Sequence, residues 1–220
     1  FLEINCRPMF KSSPLIWELL RKAVHLSGLL IVVGYTLLLN YFSEKVAILA
    51  ITALLLILIE IEYIRLEHKP RLAILFDGMF RSREKDNISG AVFLVISCII
   101  CFAAFNYWVA FLALFMTVFG DLFAAIFGKA FGKTLIVNNK TFVGTFAGLS
   151  ANFIVGLLIM PEFLYLIIPM AITASFVEFI TNKLDDNLTV PLFTGFIGEM
   201  IVYYAQINLP PIDFTFLGLF

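Results

Sequence analysis

Apolar runs of near-membrane length follow one another through almost the whole chain, and their spacing constrains the fold more than any other feature. A helix that crosses a bilayer takes about 20 mostly apolar residues. Runs of that order lie near 24–42, 46–64, 89–105, 108–127, 142–160, 164–181 and 190–205. The stretch 91–127 is too long for one crossing, and Asn106, Tyr107 and Trp108 supply a polar, aromatic turn that divides it. A chain that is 61% hydrophobic and 14% charged, with a mean hydropathy of +1.00, is not the composition of a soluble core. The expected fold is therefore all-α: one polytopic integral membrane domain over residues 1–220 with about seven transmembrane helices. Its 25 phenylalanines suit a lipid-facing exterior. The first 22 residues are too polar for a cleavable signal peptide and lack a small-residue cleavage pattern, so none is expected.

Lysine and arginine set the orientation of such a chain, because they accumulate in cytoplasmic loops. Arg7, Lys11, Arg21 and Lys22 precede the first run. The second loop holds Arg65, Lys69, Arg71, Arg81, Arg83 and Lys85, the fourth Lys129, Lys133 and Lys140, and the sixth Lys183. Only Lys45 falls on the other side, so 14 of the 15 basic residues share one face. This predicts a cytoplasmic N-terminus and places the polar clusters, including loops 128–141 and 182–190, on the cytoplasmic face. Net charge is −1 and carries no sign of a nucleic-acid partner; the placement of the charge is what informs.

Ahead of the first run, Ser13 and Pro14 make a good helix start. Leu15, Ile16, Leu19 and Leu20 then fall on one side, while Glu18, Arg21, Lys22 and His25 share another through spacings of three, four and seven. The pattern describes an interfacial amphipathic helix over the N-terminal segment. Further on, Glu62 and Arg65 are spaced to pair across one helical turn. Cys98 and Cys101 form a C-x-x-C inside an apolar helical run, where packing is a better reading than redox or metal chemistry.

The segment 117–150 breaks the pattern. Asp121 lies inside an apolar run, where an acid costs about 2.5–3.5 kcal/mol on insertion scales and marks a functional site by default. On a helix, Asp121, Ala124, Ala125, Gly128 and Gly132 make a stripe of small side chains beneath that acid. Such a stripe alone describes a helix–helix contact; it does not account for the acid or for Lys129, Lys133 and Lys140. Lys140 and Thr141 open the fifth run, followed by Gly144. A helix start favours an anion, and glycine lets the backbone come close to a phosphate. The glycine spacing before Lys133 is one residue short of a Walker loop, which excludes a P-loop.

A second acidic group begins at Glu178 and continues in Asp185, Asp186 and Asn187. Glu178 and Asp185 are seven apart, hence on one face if the helix continues. Read alone, the group is a polar loop ending before Pro191. Beside Asp121 on the same membrane face, it offers hard oxygen donors of the kind Mg²⁺ takes together with phosphate oxygens. Two acid sites with lysines between them suit phosphoryl transfer.

In this order the residues resemble the CTP-dependent polyprenol kinase family, which includes dolichol kinase, phytol kinase and the CTP-dependent diacylglycerol kinases. The resemblance spans nearly all the runs. It rests on R-K-x-x-H at Arg21, Lys22 and His25, E-x-x-R at Glu62 and Arg65, and R-x-x-E with a following S-G at Arg81, Glu84, Ser89 and Gly90. It continues in G-D-x-x-A-x-x-x-G-K-x-F-G-K from Gly120 to Lys133, K-T-x-x-G-T from Lys140 to Thr145, and E-x(6)-D-D-N-x-x-V-P from Glu178 to Pro191.

The resemblance implies transfer of the γ-phosphate of CTP to the hydroxyl of a membrane lipid alcohol, with Mg²⁺ or another divalent cation. It further implies metal ligands at Asp121, Asp185, Asp186 and Asn187, and catalytic roles for the three aspartates and His25. Phosphate contacts would come from Arg21, Lys22, Lys129, Lys133, Lys140, Thr141, Gly128, Gly132 and Gly144, supported by Glu178, Glu62, Arg65, Arg81 and Glu84. Phosphatidate cytidylyltransferases are similar in the central motif but carry a C-terminal G-H-G-G-x-x-D-R-x-D. Here the matching region, Asp185 to Gly195, has neither His nor Asp-Arg. An ion-coupled transporter is the third expectation, weakened by the lack of visible repeats between the halves and by polar residues gathered at one face.

Overall fold

The computed structural model describes residues 26, 28–68, 87–132, 140–181 and 184–212, and these form seven helices and no strand. They are α1 (Leu29–Tyr41), α2 (Glu44–His68), α3 (Gly90–Ala104), α4 (Tyr107–Phe131), α5 (Phe142–Ile159), α6 (Leu164–Ile180) and α7 (Asp186–Ala205). Each answers to one of the expected apolar runs. Four, α2, α4, α5 and α7, are long and apolar enough to cross a membrane by length and composition; α1, α3 and α6 are apolar but run 13, 15 and 17 residues. The N-terminal interfacial helix and the loop over 69–86 lie outside the described residues.

The helix ends are set by local chemistry. Asn106 caps α4, its Oδ1 accepting from the Trp108 N–H at 3.0 Å, so the polar turn divides the long run where expected. Thr141 caps α5 by accepting from Gly144 N–H at 3.1 Å. Asp185 caps α7 through Asn187 N–H at 2.9 Å.

Two boundaries differ from the sequence expectation. The fourth run continues as helix to Phe131, so Gly128 and Lys129 are helical and not part of a loop. The loop expected over 182–190 is helix from Asp186, and α7 passes through Pro191. Proline there forfeits the one hydrogen bond its ring nitrogen would have donated to Asn187, a loss the capped first turn absorbs.

Two buried clusters hold the bundle. One gathers Tyr35, Val95, Cys98, Cys101 and Phe102 from α1 and α3 with Tyr107 and Leu114 of α4. Tyr35 stacks on Phe102 with ring centroids 3.8 Å apart, and the hydroxyls of Thr36 and Tyr107 share a 2.8 Å hydrogen bond. Both cysteines are buried, unoxidised packing residues, as the apolar run implied. The other cluster joins α4 to α6 and α7 through Leu112, Met116, Ile167, Met170 and Val190. Contacts of Arg65 with Asn87, Asn187 with Gly90, Thr181 with Thr189, Lys140 with Glu178 and Thr141 with Gly128 and Gly132 bring the end of α2, the start of α3, the end of α4, the start of α5, the end of α6 and the start of α7 to one end of the bundle. At the opposite end, Glu199 accepts from the backbone N–H of Asn106 at 2.8 Å and Trp108 Nε1 donates to the Pro210 carbonyl at 2.8 Å, which fixes where α4 begins.

Candidate functional site

Glycine builds the centre of the polar end. Helices α4 and α5 make the most extensive helix contact among the described residues. They meet through Gly120, Ala124 and Gly128 on one side and Gly144, Gly148 and Asn152 on the other. A Cβ at Gly144 would stand 2.8 Å from the Ala124 carbonyl oxygen and 3.1 Å from Gly128 Cα, so only glycine permits this approach. At Gly120 it would stand 2.5 Å from Asn152 Oδ1. The seam thus uses the small-residue stripe expected from sequence, but turned: Gly120, Ala124 and Gly128 face α5, and half-buried Asp121 flanks the contact.

The Thr141 hydroxyl sits among three of these glycines. It would lie 2.5 Å from a Cβ at Gly132 and 3.0 Å from one at either Gly128 or Gly144. The K-T-x-x-G element therefore acts first as a cap and a packing residue at the mouth of the seam. Lys140, just before it, donates from Nζ to the Glu178 backbone carbonyl, tying the approach to α5 to the last turn of α6. Glu178 also directs its carboxylate to the seam, Oε2 lying 3.8 Å from where a Gly148 Cβ would be; that same point is 3.3 Å from the Gly120 carbonyl. Glu178, Lys140, Thr141 and the glycines are thereby gathered from three helices, with half-buried Asp121 next to Gly120 in the chain and Lys129 exposed in the last turn of α4.

The second acidic group is arranged differently from expectation. The α6 helix ends at Ile180 and Thr181 is extended, so Glu178 and Asp185 do not share a helix face. The cause is local: Asp185 is spent as the cap of a new helix. Asn187 is buried and donates from Nδ2 to the Gly90 carbonyl at 3.1 Å, which docks the start of α7 on the start of α3. Gly90 follows Asn87 closely, and Asn87 offers its carbonyl to Arg65 Nη2 at 2.6 Å. Arg65 in turn donates to Glu62 Oε2 from Nε at 2.9 Å and Nη2 at 2.6 Å, forming the expected pair with each side chain only 12% exposed. A continuous polar chain therefore runs from α2 across α3 to α7. Glu62 and Arg65 are its anchors.

Of the residues singled out from sequence, Arg21, Lys22, His25, Arg81, Glu84 and Lys133 lie outside the described residues. Among the described residues no three Asp, Glu, His or Cys side chains stand close enough to form a metal cluster by themselves.

Two features of the site carry little signal in the sequence. Asn152, 1% exposed, donates from Nδ2 to Ser175 Oγ at 3.0 Å and packs its amide on Gly120. An asparagine within an apolar run was its only signal. The other is a ladder of phenylalanines every fourth residue along α4, from Phe111 to Phe131, legible as spacing but hidden in a composition rich in phenylalanine. No protein-family model, curated protein or solved structure matches the chain.

Proposed function

We propose that this chain is a multi-pass membrane enzyme of seven crossings with a cytoplasmic N-terminus. It transfers the γ-phosphate of CTP to the hydroxyl of a membrane lipid alcohol at its cytoplasmic face. One observation above all supports the reading. Acids and cations from three helices gather at a glycine-packed helix start, at the end of the bundle that holds Arg65, Lys129 and Lys140 and that the Lys and Arg pattern of the sequence assigns to the cytoplasm. Seven crossings are supported by the match between the helices and the apolar runs, and the choice of CTP rests on the sequence resemblance.

In this reading the acceptor oxygen forms a bond to the γ-phosphorus, the bond from that phosphorus to the β–γ bridging oxygen breaks, and CDP leaves. The hydroxyl proton passes to a carboxylate of the cluster or to His25. Lys140, with Lys129 and Lys133, lowers the energy of charge developing on the transferred group, and the start of α5 adds its positive dipole end. Glu178 holds Lys140 by its main chain and borders Gly148 with its carboxylate, so it positions the seam. Asp121, Asp185 and Asp186, and the side-chain oxygen of Asn187, would be the donors for Mg²⁺ only together with phosphate oxygens, since among the described residues they form no cluster by themselves. When bound, the ion supplies neutralisation of the phosphate oxygens.

The test uses purified protein, Mg²⁺, a panel of lipid alcohols and phosphatidate, and CTP labelled at either the α or the γ position. Lipid labelled only from the γ position is the expected result. Label entering from the α position with pyrophosphate release replaces the kinase by a CDP-lipid synthase. No label from either position across the panel returns the chain to the transporter class.

A further inference from the structure

We propose that the furrow between α4 and α5 holds the single extended hydrocarbon chain of the lipid acceptor, its hydroxyl end at the start of α5. This rests on the lipid-kinase reading for the identity of the ligand as acceptor, while the furrow itself stands on its own geometry.

The furrow is a consequence of the glycine seam. Where two helices touch backbone to backbone, large side chains flanking the contact rise on both sides of a shallow floor. Here the floor is Ala147, Ser150 and Ala151, and the space above it is about 740 Å³. That is within the range of about 300–1,000 Å³ typical of small-molecule sites. One wall is Phe115, Phe119, Phe123 and Phe127 of α4; the other is Phe142, Phe146, Ile154 and Leu158 of α5. Ser150 is the one hydroxyl in the lining, and it is turned to the Phe146 carbonyl at 2.9 Å. Rings on α4 follow one another closely, with centroids 6.0 Å apart for Phe115–Phe119 and 6.1 Å for Phe123–Phe127. A spacing of four residues advances about 40° per step around a helix of 3.6 residues per turn, so the ladder winds across the helix. It passes from half-buried Phe111 to Phe131, which is 64% exposed.

Length and polarity select the occupant. From Val143 to Leu158 the furrow follows α5 for about 22 Å at 1.5 Å per residue, most of a bilayer's hydrocarbon core. Its far end, at Leu158 and Ile159, is apolar. Its near end, at Phe127, Phe142 and Val143, opens beside Lys129, Lys140 and the α5 start. A ligand that matches both ends has one long apolar chain and a head that is, or becomes, anionic. One furrow with one floor takes one chain, which favours a single-chain alcohol over a two-chain glyceride.

The test uses the full chain in nanodiscs with a long single-chain alcohol carrying a diazirine midway along its chain, followed by mapping of the crosslinks. Crosslinks should concentrate at Phe119, Phe146, Ser150 and Ile154. The floor-filling variants Ala147→Phe and Ser150→Trp should reduce them by about tenfold. The same variants should raise KM about tenfold for long alcohols, with little change for chains too short to reach Ser150, about 12 Å from the mouth. Phe146→Ala, which removes bulk and spares the fold, should broaden the chain lengths accepted. Crosslinks confined to the furrow with no phosphoryl transfer from any nucleotide would uphold the furrow and remove the kinase. Phosphoryl transfer with KM unmoved by the variants would overturn the furrow and leave the kinase standing. Labelling equal to that of the lipid-facing side of α2 would reduce the furrow to a bulk-lipid contact and overturn the proposal. So would displacement of the probe by diacylglycerol in preference to single-chain alcohols.

Discussion

Along the α4–α5 seam the helices touch through glycine backbone, whereas α1, α3 and the start of α4 touch through rings, a thiol pair and branched side chains. At the first contact a Cβ on Gly144 would press on main-chain atoms, which cannot turn away. At the second, Tyr35, Phe102, Cys98 and Cys101 fill volume with groups that have neighbours to relax into. The seam therefore specifies one helix separation and leaves a furrow beside it. The aromatic cluster specifies a filled volume. The polar side chains of this end border the contact that tolerates least change: Thr141 sits against Gly128, Gly132 and Gly144, and Glu178 reaches the seam at Gly148, beside the Gly120 carbonyl.

The largest effect expected from breaking this contrast is on activity. Asp121→Asn keeps size and hydrogen bonding but removes the charge, and lipid phosphorylation should fall by about a thousandfold or more. An unchanged elution profile and melting temperature in detergent would separate this loss from unfolding, and retained turnover would remove Asp121 from the reacting centre. Next comes Gly144→Ala, which adds a single methyl to the seam. It should cost about 1–3 kcal/mol of stability, read as a lowered melting temperature. Cys101→Ala deletes one buried sulfur from the aromatic cluster and should cost about 1 kcal/mol. If Gly144→Ala proves no more costly than Cys101→Ala, the distinction between the two contacts fails. Smallest is Arg65→Lys, which keeps the charge but loses the two-nitrogen contact with Glu62 and the bond to Asn87. It should cost about 0.5 kcal/mol by thermal unfolding, because lysine keeps the charge and one bond to Glu62 while losing the two-nitrogen geometry.

Much of the framework was legible in advance because it depends on near neighbours. Phe105 closes one helix and Asn106 caps the next with its own side chain, so the break can be read from a few consecutive residues. Glu62 and Arg65 pair because three residues bring side chains together on any helix. The Glu178–Asp185 relation failed for the same kind of reason. Their spacing assumes an unbroken helix, and Asp185 caps a new one.

What the sequence alone determined is the number and order of apolar helices, the turns that separate them, and the gathering of charge at alternate loops. These follow from composition and from spacings of a few residues. The facing of each helix was left to the tertiary structure, because helices that are apolar on every side carry no periodic signal of which side meets a partner. Only the fold decided that Gly120 meets Asn152, that Lys140 reaches the Glu178 carbonyl, that Asn187 is spent on Gly90, and that a ladder of phenylalanines borders a furrow. Each of those contacts joins residues far apart in the chain, and their geometry is set by how closely backbones approach, a quantity no local spacing encodes.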